Sequence, residues 1–160
     1  MEDRVHGEKG NDLLKGVLVP GVPEVADGGS GHNTTYLALP TRPSGKPWHH
    51  VLVDLLHGRL DADGSVTHFS GLFTDLLVLT HQTATDWAVK GTNEADDLSV
   101  FDAAGQQVVV EGRAGDDLPR TGAGDDVLRG GAGSDQGEAG AGTDACFSIE
   151  PPVDCGATSP

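Results

Sequence analysis

The sequence predicts an all-β chain wound as a solenoid, on three observations. Residues 112–147 divide into four consecutive blocks of nine, GRAGDDLPR, TGAGDDVLR, GGAGSDQGE and AGAGTDACF, without a break in phase. Strand-sized runs rich in β-branched residues recur about every 10 to 14 residues between Trp48 and Gly112, punctuated by Gly, Asp and Thr. No helix of useful length is predicted anywhere in the chain. A nine-residue unit is too short to bury its own apolar side chains, so units must stack, two per turn, each a tight loop followed by a short strand.

The blocks fix residue types at a constant phase. The fourth position is Gly115, Gly124, Gly133 and Gly142, the sixth is Asp117, Asp126, Asp135 and Asp144, and the third is always Ala. Glycine permits a positive φ and leaves carbonyl oxygens unshielded, while Asp adds a hard, charged oxygen; an oxygen-only donor set favours Ca²⁺ over transition metals. The blocks resemble the RTX (repeats-in-toxin, haemolysin-type) calcium-binding nonapeptide G-G-x-G-x-D-x-U-x, in which U is a large aliphatic residue. That resemblance implies a right-handed parallel β-roll, with each ion sandwiched between loops 18 residues apart. Asp117 would then pair with Asp135, and Asp126 with Asp144, with backbone carbonyls around Gly115, Gly124, Gly133 and Gly142 completing the shells.

Taken in order, residues 1–47 are expected to form N-terminal coils of the same kind, partly degenerate. Gly7 to Lys15 (GEKGNDLLK) places Asp12 sixth and Leu14 eighth, and makes Asp12 a weak metal ligand; Gly28 to Tyr36 (GGSGHNTTY) keeps the glycines but has Asn33 where Asp belongs. Residues 48–90 read as spacer coils of the same solenoid, with runs at His50–Leu55, Ser65–Phe69, Asp75–Thr80 and Asp86–Lys90. Val51-Leu-Val-Asp-Leu55, Gly58, Asp63-Gly64 and Val89-Lys-Gly-Thr92 are similar to a spacer found between RTX blocks. Residues 91–147 are expected to be the calcium-binding β-roll, beginning with Gly91 to Ser99 (GTNEADDLS), whose Asp96 would pair with Asp117 across a coil three residues longer. The eighth positions, Pro119, Leu128, Gly137 and Cys146, depart from the pattern; Pro cannot donate to a ladder, so a frayed C-terminal roll is expected. Residues 148–160 form a cap or tail. Cys146 and Cys155 are too few for a metal site but close enough for a disulfide, which implies an oxidising compartment and a covalent tie across the open end of the last coil.

Asp+Glu number 25 against Lys+Arg 10, a formal charge of -15, which repels nucleic acid and anionic lipid. No apolar run reaches the roughly 18 residues that span a bilayer. Met1 to His6 carries no export signal, so export is signalled elsewhere or the chain is a fragment. His49, His50, His57, His68 and His81 share no strand or helix face, Asp61–Ser65 lacks the Gly and Glu of an EF-hand loop, and Ser30 lacks a nucleophile-elbow spacing; each reads as surface. No catalytic set is seen. The expected function is a calcium-binding structural or secretion module that folds on extracellular Ca²⁺. It would be a secreted, non-enzymatic C-terminal portion of a longer bacterial parent protein, linked covalently to further domains. Its partners would be calcium ions, with no nucleic acid and no membrane insertion. The alternative is a fragment of an extracellular enzyme or adhesin whose active surface lies in residues 48–90.

Overall fold

The computed structural model describes residues 4–15, 20–21, 25–37, 39, 42, 44–80, 86–102, 105–153, 155 and 157–159. His81 lies outside them. The first strands are β1 (Arg4–His6), β2 (Leu13–Lys15), β3 (Val25–Asp27), β4 (Asn33–Leu37), β5 (His50–Asp54), β6 (Arg59–Ala62), β7 (Ser65–His68) and β8 (Phe73–Thr80). They are followed by β9 (Asp86–Lys90), β10 (Asp97–Asp102), β11 (Gln107–Ala114), β12 (Leu118–Thr121) and β13 (Val127–Ala132). The chain closes with β14 (Gly137–Glu138), β15 (Ala145–Phe147), β16 (Pro152–Val153) and β17 (Ala157–Ser159).

From β8 onward, consecutive strands alternate between two sheets, which is how a solenoid is recognised. One sheet has the order β16-β14-β12-β10-β8-β4-β2 and is parallel throughout; the other has the order β17-β15-β13-β11-β9-β5-β6-β7. A small pair, β1 and β3, precedes them. The register follows the repeat: Val127 to Arg129 lie beside Val109 to Glu111 on one side and Ala145 to Phe147 on the other, one turn away in each direction. Every second side chain points inward. One inner ladder runs Leu14, Thr35, Leu76, Leu98 and Pro119, and the opposite one runs Val53, Val89, Val110, Leu128 and Cys146. The eighth position of each nonapeptide is therefore the core position.

The core is uneven along the axis. Among the described residues, one cluster of buried apolar side chains extends from Leu14 to Val110 and includes Trp48, Phe69, Phe73 and Trp87; a second holds only Leu128, Ala139, Cys146 and Ile149. At Gly137 the expected fraying is limited by Ile149, whose Cδ1 would be 2.6 Å from a Cβ placed there. Ile149 fills the space the eighth-position aliphatic would have taken. Cys146 and Cys155 are joined by a disulfide with Cα atoms 5.8 Å apart, as their spacing suggested.

Residues 59–68 differ from the expectation of uninterrupted parallel coils. β5, β6 and β7 are antiparallel, with Asp63 at φ 48° and Gly64 at φ 83° in the β6–β7 turn. Two successive positive φ values suit a tight hairpin, and the Asp-Gly pair supplies them. The hairpin covers the edge of β5 and removes it as a template for pairing.

Candidate metal centre

The loops that precede the strands form two stacks. The loops leading into β2, β10, β12 and β14 carry Asp12, Asp96, Asp117 and Asp135, and Asn33 opens β4 in the same stack; before β13 and β15 come the loops carrying Asp126 and Asp144. In both stacks the sixth-position side chains from Asp117 onward grip the coil before them. Oδ1 of Asp117 accepts from the Asp96 amide (2.9 Å) and Oδ1 of Asp135 from the Asp117 amide (2.9 Å). Oδ1 of Asp144 accepts from the Asp126 amide (2.8 Å), and Oδ1 of Asp126 from the Val108 amide (2.9 Å). The pairings of Asp117 with Asp135, Asp126 with Asp144 and Asp96 with Asp117 thus join neighbouring coils.

That bond uses one carboxylate oxygen and leaves the other. Oδ2 of Asp12, Asp117, Asp126, Asp135 and Asp144 is buried with no hydrogen-bond partner. Buried polar atoms are normally paired, so five orphans at one atom of one repeat position need an explanation in common. The loop backbone around them is open: a Cβ on Gly112 would run into Asp117 Oδ2 and come within 2.6 Å of the Gly130 carbonyl oxygen, and one on Gly7 would lie 2.7 Å from Asp12 Oδ2 and 2.5 Å from the Gly28 oxygen. Each such place is bounded by a carboxylate oxygen and a carbonyl oxygen from the next coil, a donor set that fits calcium. Among the described residues no three His, Cys, Asp or Glu side chains converge on one point. A site here draws on backbone carbonyls for the rest of its shell.

The fourth-position glycines Gly115, Gly124, Gly133 and Gly142 all have positive φ, and each lies against backbone of the preceding coil. The fifth-position carboxylates play another part. Asp116 Oδ1 accepts from the Ser134 amide and Asp125 Oδ1 from the Thr143 amide, both at 2.9 Å on the exposed side, so they brace the coil that follows.

Four positions depart from this plan, with consequences the repeat alone does not reveal. Asn33 keeps the backward bond, accepting from the Asp12 amide at 2.9 Å, but its Nδ2 donates to the Leu72 carbonyl at 2.7 Å; an amide thus meets locally what an acid leaves open. Asp96 is satisfied within its own loop, since Oδ2 accepts from the Thr92 amide (2.6 Å) and Oδ1 from the Thr92 hydroxyl (2.9 Å). The second stack begins its loops with Thr121 and Ala139 in place of Gly, and the Thr121 hydroxyl donates to the Ala139 carbonyl at 2.9 Å.

Burial, reinforced by neighbouring carboxylates, pushes Asp96 up to about 7 and Asp117 up to about 6, and raises Asp126. Burial is the largest cause in each; Asp117 and Asp75 add to it at Asp96, Asp135 and Asp116 at Asp117, and Asp144 and Asp125 at Asp126. A cation beside these groups would reverse the shift.

His50 pairs with Asp86 at 2.8 Å and His57 with Asp54 at 2.9 Å, both well exposed. The Asp61–Ser65 segment is the β6–β7 turn. In residues 48–90, Trp48, Phe69, Phe73 and Trp87 are buried, so these aromatic rings serve the core and offer no contact surface.

A family model described as the RTX calcium-binding nonapeptide repeat matches in four copies, over residues 2–16 and 111–145. No curated protein and no solved structure matches the chain.

Proposed function

Since the chain carries RTX calcium-binding repeats, we propose that it is a structural module whose C-terminal coils fold on calcium in the extracellular medium. The observation that carries this reading is the row of buried, unpartnered Oδ2 atoms on Asp117, Asp126, Asp135 and Asp144. Ions bound there would turn like-charge repulsion between stacked loops into attraction, so that binding energy appears as folding energy. The module would be one part of a longer secreted protein, with a scaffolding or export role and no catalysis of its own. The disulfide suits the same oxidising, calcium-rich surroundings.

Phase separates this reading from general acidity. Asp126→Asn keeps an Oδ1 for the Val108 amide but replaces the orphan oxygen with a donor, as Asn33 does naturally. Calcium affinity by calorimetry should fall about tenfold or more, and likewise for Asp135→Asn, because a charged hard ligand is lost. Asp125→Asn changes an exposed brace and should alter affinity by about twofold or less. Equal losses at Asp125 and Asp126 would refute site binding in favour of diffuse electrostatics.

The pH dependence should invert with calcium. In the calcium-free chain the upstream coils stay folded, and there Asp96 holds its proton to about pH 7, against a reference of 3.8. This contribution to stability is complete below the reference value and is lost as pH rises through the folded value. Melting in calcium-depleted buffer should therefore come at higher temperature at pH 5 than at pH 7.5. With calcium in excess the order should reverse, because protons compete with the ion; a calcium-free melt that rises with pH would contradict the assignment.

A further inference from the structure

The turn stack has a feature at its upstream end that the repeat does not require. Each first-position carbonyl faces the open place of the loop before it: Gly112 O faces Gly91, Gly130 O faces Gly112 and Ser148 O faces Gly130. The Gly91 carbonyl is where this uninterrupted run begins. The strand beside Gly91 on the upstream side is β5, and the chain after it, Leu55 to Leu60, has no Asp to offer.

At that point the protein supplies a cation of its own. Arg113 Nη1 donates to the Gly91 carbonyl at 2.6 Å, and its two terminal nitrogens form a fork with Asp54 Oδ1 and Oδ2, each at 3.0 Å. The pair is largely shielded, with side chains 21% and 13% exposed. His57 also contacts Asp54, through Nδ1 at 2.9 Å. Burial works against ionising Asp54, but the hydrogen bonds from Arg113 and His57 outweigh it and hold its carboxyl below the usual range.

Arg113 stands at the second position of its repeat, where its register partner in the next coil is Gly131. Its φ of 90° is one that L side chains rarely adopt. A glycine would suit the backbone better and would restore the Gly-Gly-x-Gly-x-Asp pattern. What the arginine adds is a guanidinium among three hard oxygens, two from Asp54 and one from Gly91, which is the type of donor set that calcium takes.

We infer that Arg113 is a resident cation occupying a calcium-type position between Asp54 and Gly91, and that it sets the boundary between the calcium-dependent C-terminal coils and the coils from residue 25 to β11, which need no calcium. The inference rests on the calcium reading of the loops downstream. Asp96, satisfied by Thr92, belongs with it on the calcium-independent side of the boundary.

The test is the number of calcium ions retained per chain, by native mass spectrometry of the full chain and of Arg113→Gly at saturating calcium. Arg113→Gly should hold one ion more than the wild type, because it leaves the Asp54 carboxylate and the Gly91 carbonyl without their cation. Equal non-zero numbers in both proteins would overturn the inference alone; no calcium on the wild type would sink the calcium reading itself. If Arg113→Gly does not fold at any calcium concentration, Arg113→Lys decides. It keeps a cation, so amide protection at residues 86–90 and 107–111 should persist in EGTA, and loss of that protection would overturn the assignment.

Discussion

Chelation of calcium should unfold residues 115–149 and leave residues 25–114, through the end of β11, folded. The upstream part contains the larger apolar cluster, including Trp48, Phe73 and Trp87, and its loops are closed by Asn33, Thr92 and Arg113 from within the protein. The downstream part has only Leu128, Ala139, Cys146 and Ile149 in its cluster, and four buried carboxylates each with an unmatched oxygen. A buried unmatched polar atom costs about 1–3 kcal/mol, and more when charged. Four of them cost about as much as the whole stability of an ordinary domain, roughly 5–15 kcal/mol. Hydrogen exchange with and without EGTA is the measurement. Protection over 118–132 and 137–147 should vanish in EGTA while that over 51–54, 76–78 and 86–90 remains, and uniform protection in both conditions would refute the division. From sequence the calcium-dependent part is expected to start at Gly91; the bonds from Thr92 to Asp96 and from Arg113 to Gly91 are the reason to place it after Ala114, the end of β11.

The second large effect concerns Gly133, which has φ 147° and lies directly over the Gly115 carbonyl oxygen. A methyl group there would have to occupy the space of that oxygen, and the oxygen belongs to backbone that cannot swing aside. Gly133→Ala should destabilise the C-terminal coils by roughly 3 kcal/mol or more, at the severe end for single substitutions. The calcium concentration at the folding midpoint should rise about tenfold or more, since each factor of ten corresponds to about 1.4 kcal/mol. Gly10 provides the control: it is the fourth position of the first nonapeptide, has φ 119°, and a Cβ there meets nothing within 4 Å. Gly10→Ala retains the backbone strain without the collision and should lose only about 1–2 kcal/mol. Similar losses at the two sites, read by thermal denaturation in excess calcium followed by circular dichroism, would show that φ strain and not coil stacking is limiting.

Much of this architecture is legible in the sequence because it is periodic. Phase identifies Asp117, Asp126, Asp135 and Asp144 as equivalent, the 18-residue spacing identifies which loops are neighbours, and the 21-residue step correctly sets Asp96 beside Asp117. Contacts outside the period are not legible in this way. Arg113 and Asp54 are 59 residues apart, and nothing in either local sequence marks the other. Ile149 lies beyond the last block, and its role depends on a gap that Gly137 leaves one coil earlier. The β5–β6–β7 hairpin could have been anticipated from Asp63-Gly64, a strong hairpin signal, had the expectation of continuous coils not absorbed it. Thr92 is legible only as the end of the Val89-Lys-Gly-Thr92 spacer match, and its effect on Asp96 depends on loop geometry.

The alternation of grips along each stack fixes the molecule's dimensions. Asp117 holds the coil before it and Asp116 the coil after it, so a coil needs nothing beyond its two neighbours. Adjacent strands in a sheet are about 4.8 Å apart, so every 18 residues added or removed in phase changes the length by about 4.8 Å and leaves the side-chain ladders aligned. Length in this part of the chain is therefore counted in whole steps, and a gene that gains or loses one such step alters the reach of a rod without redesigning its interior.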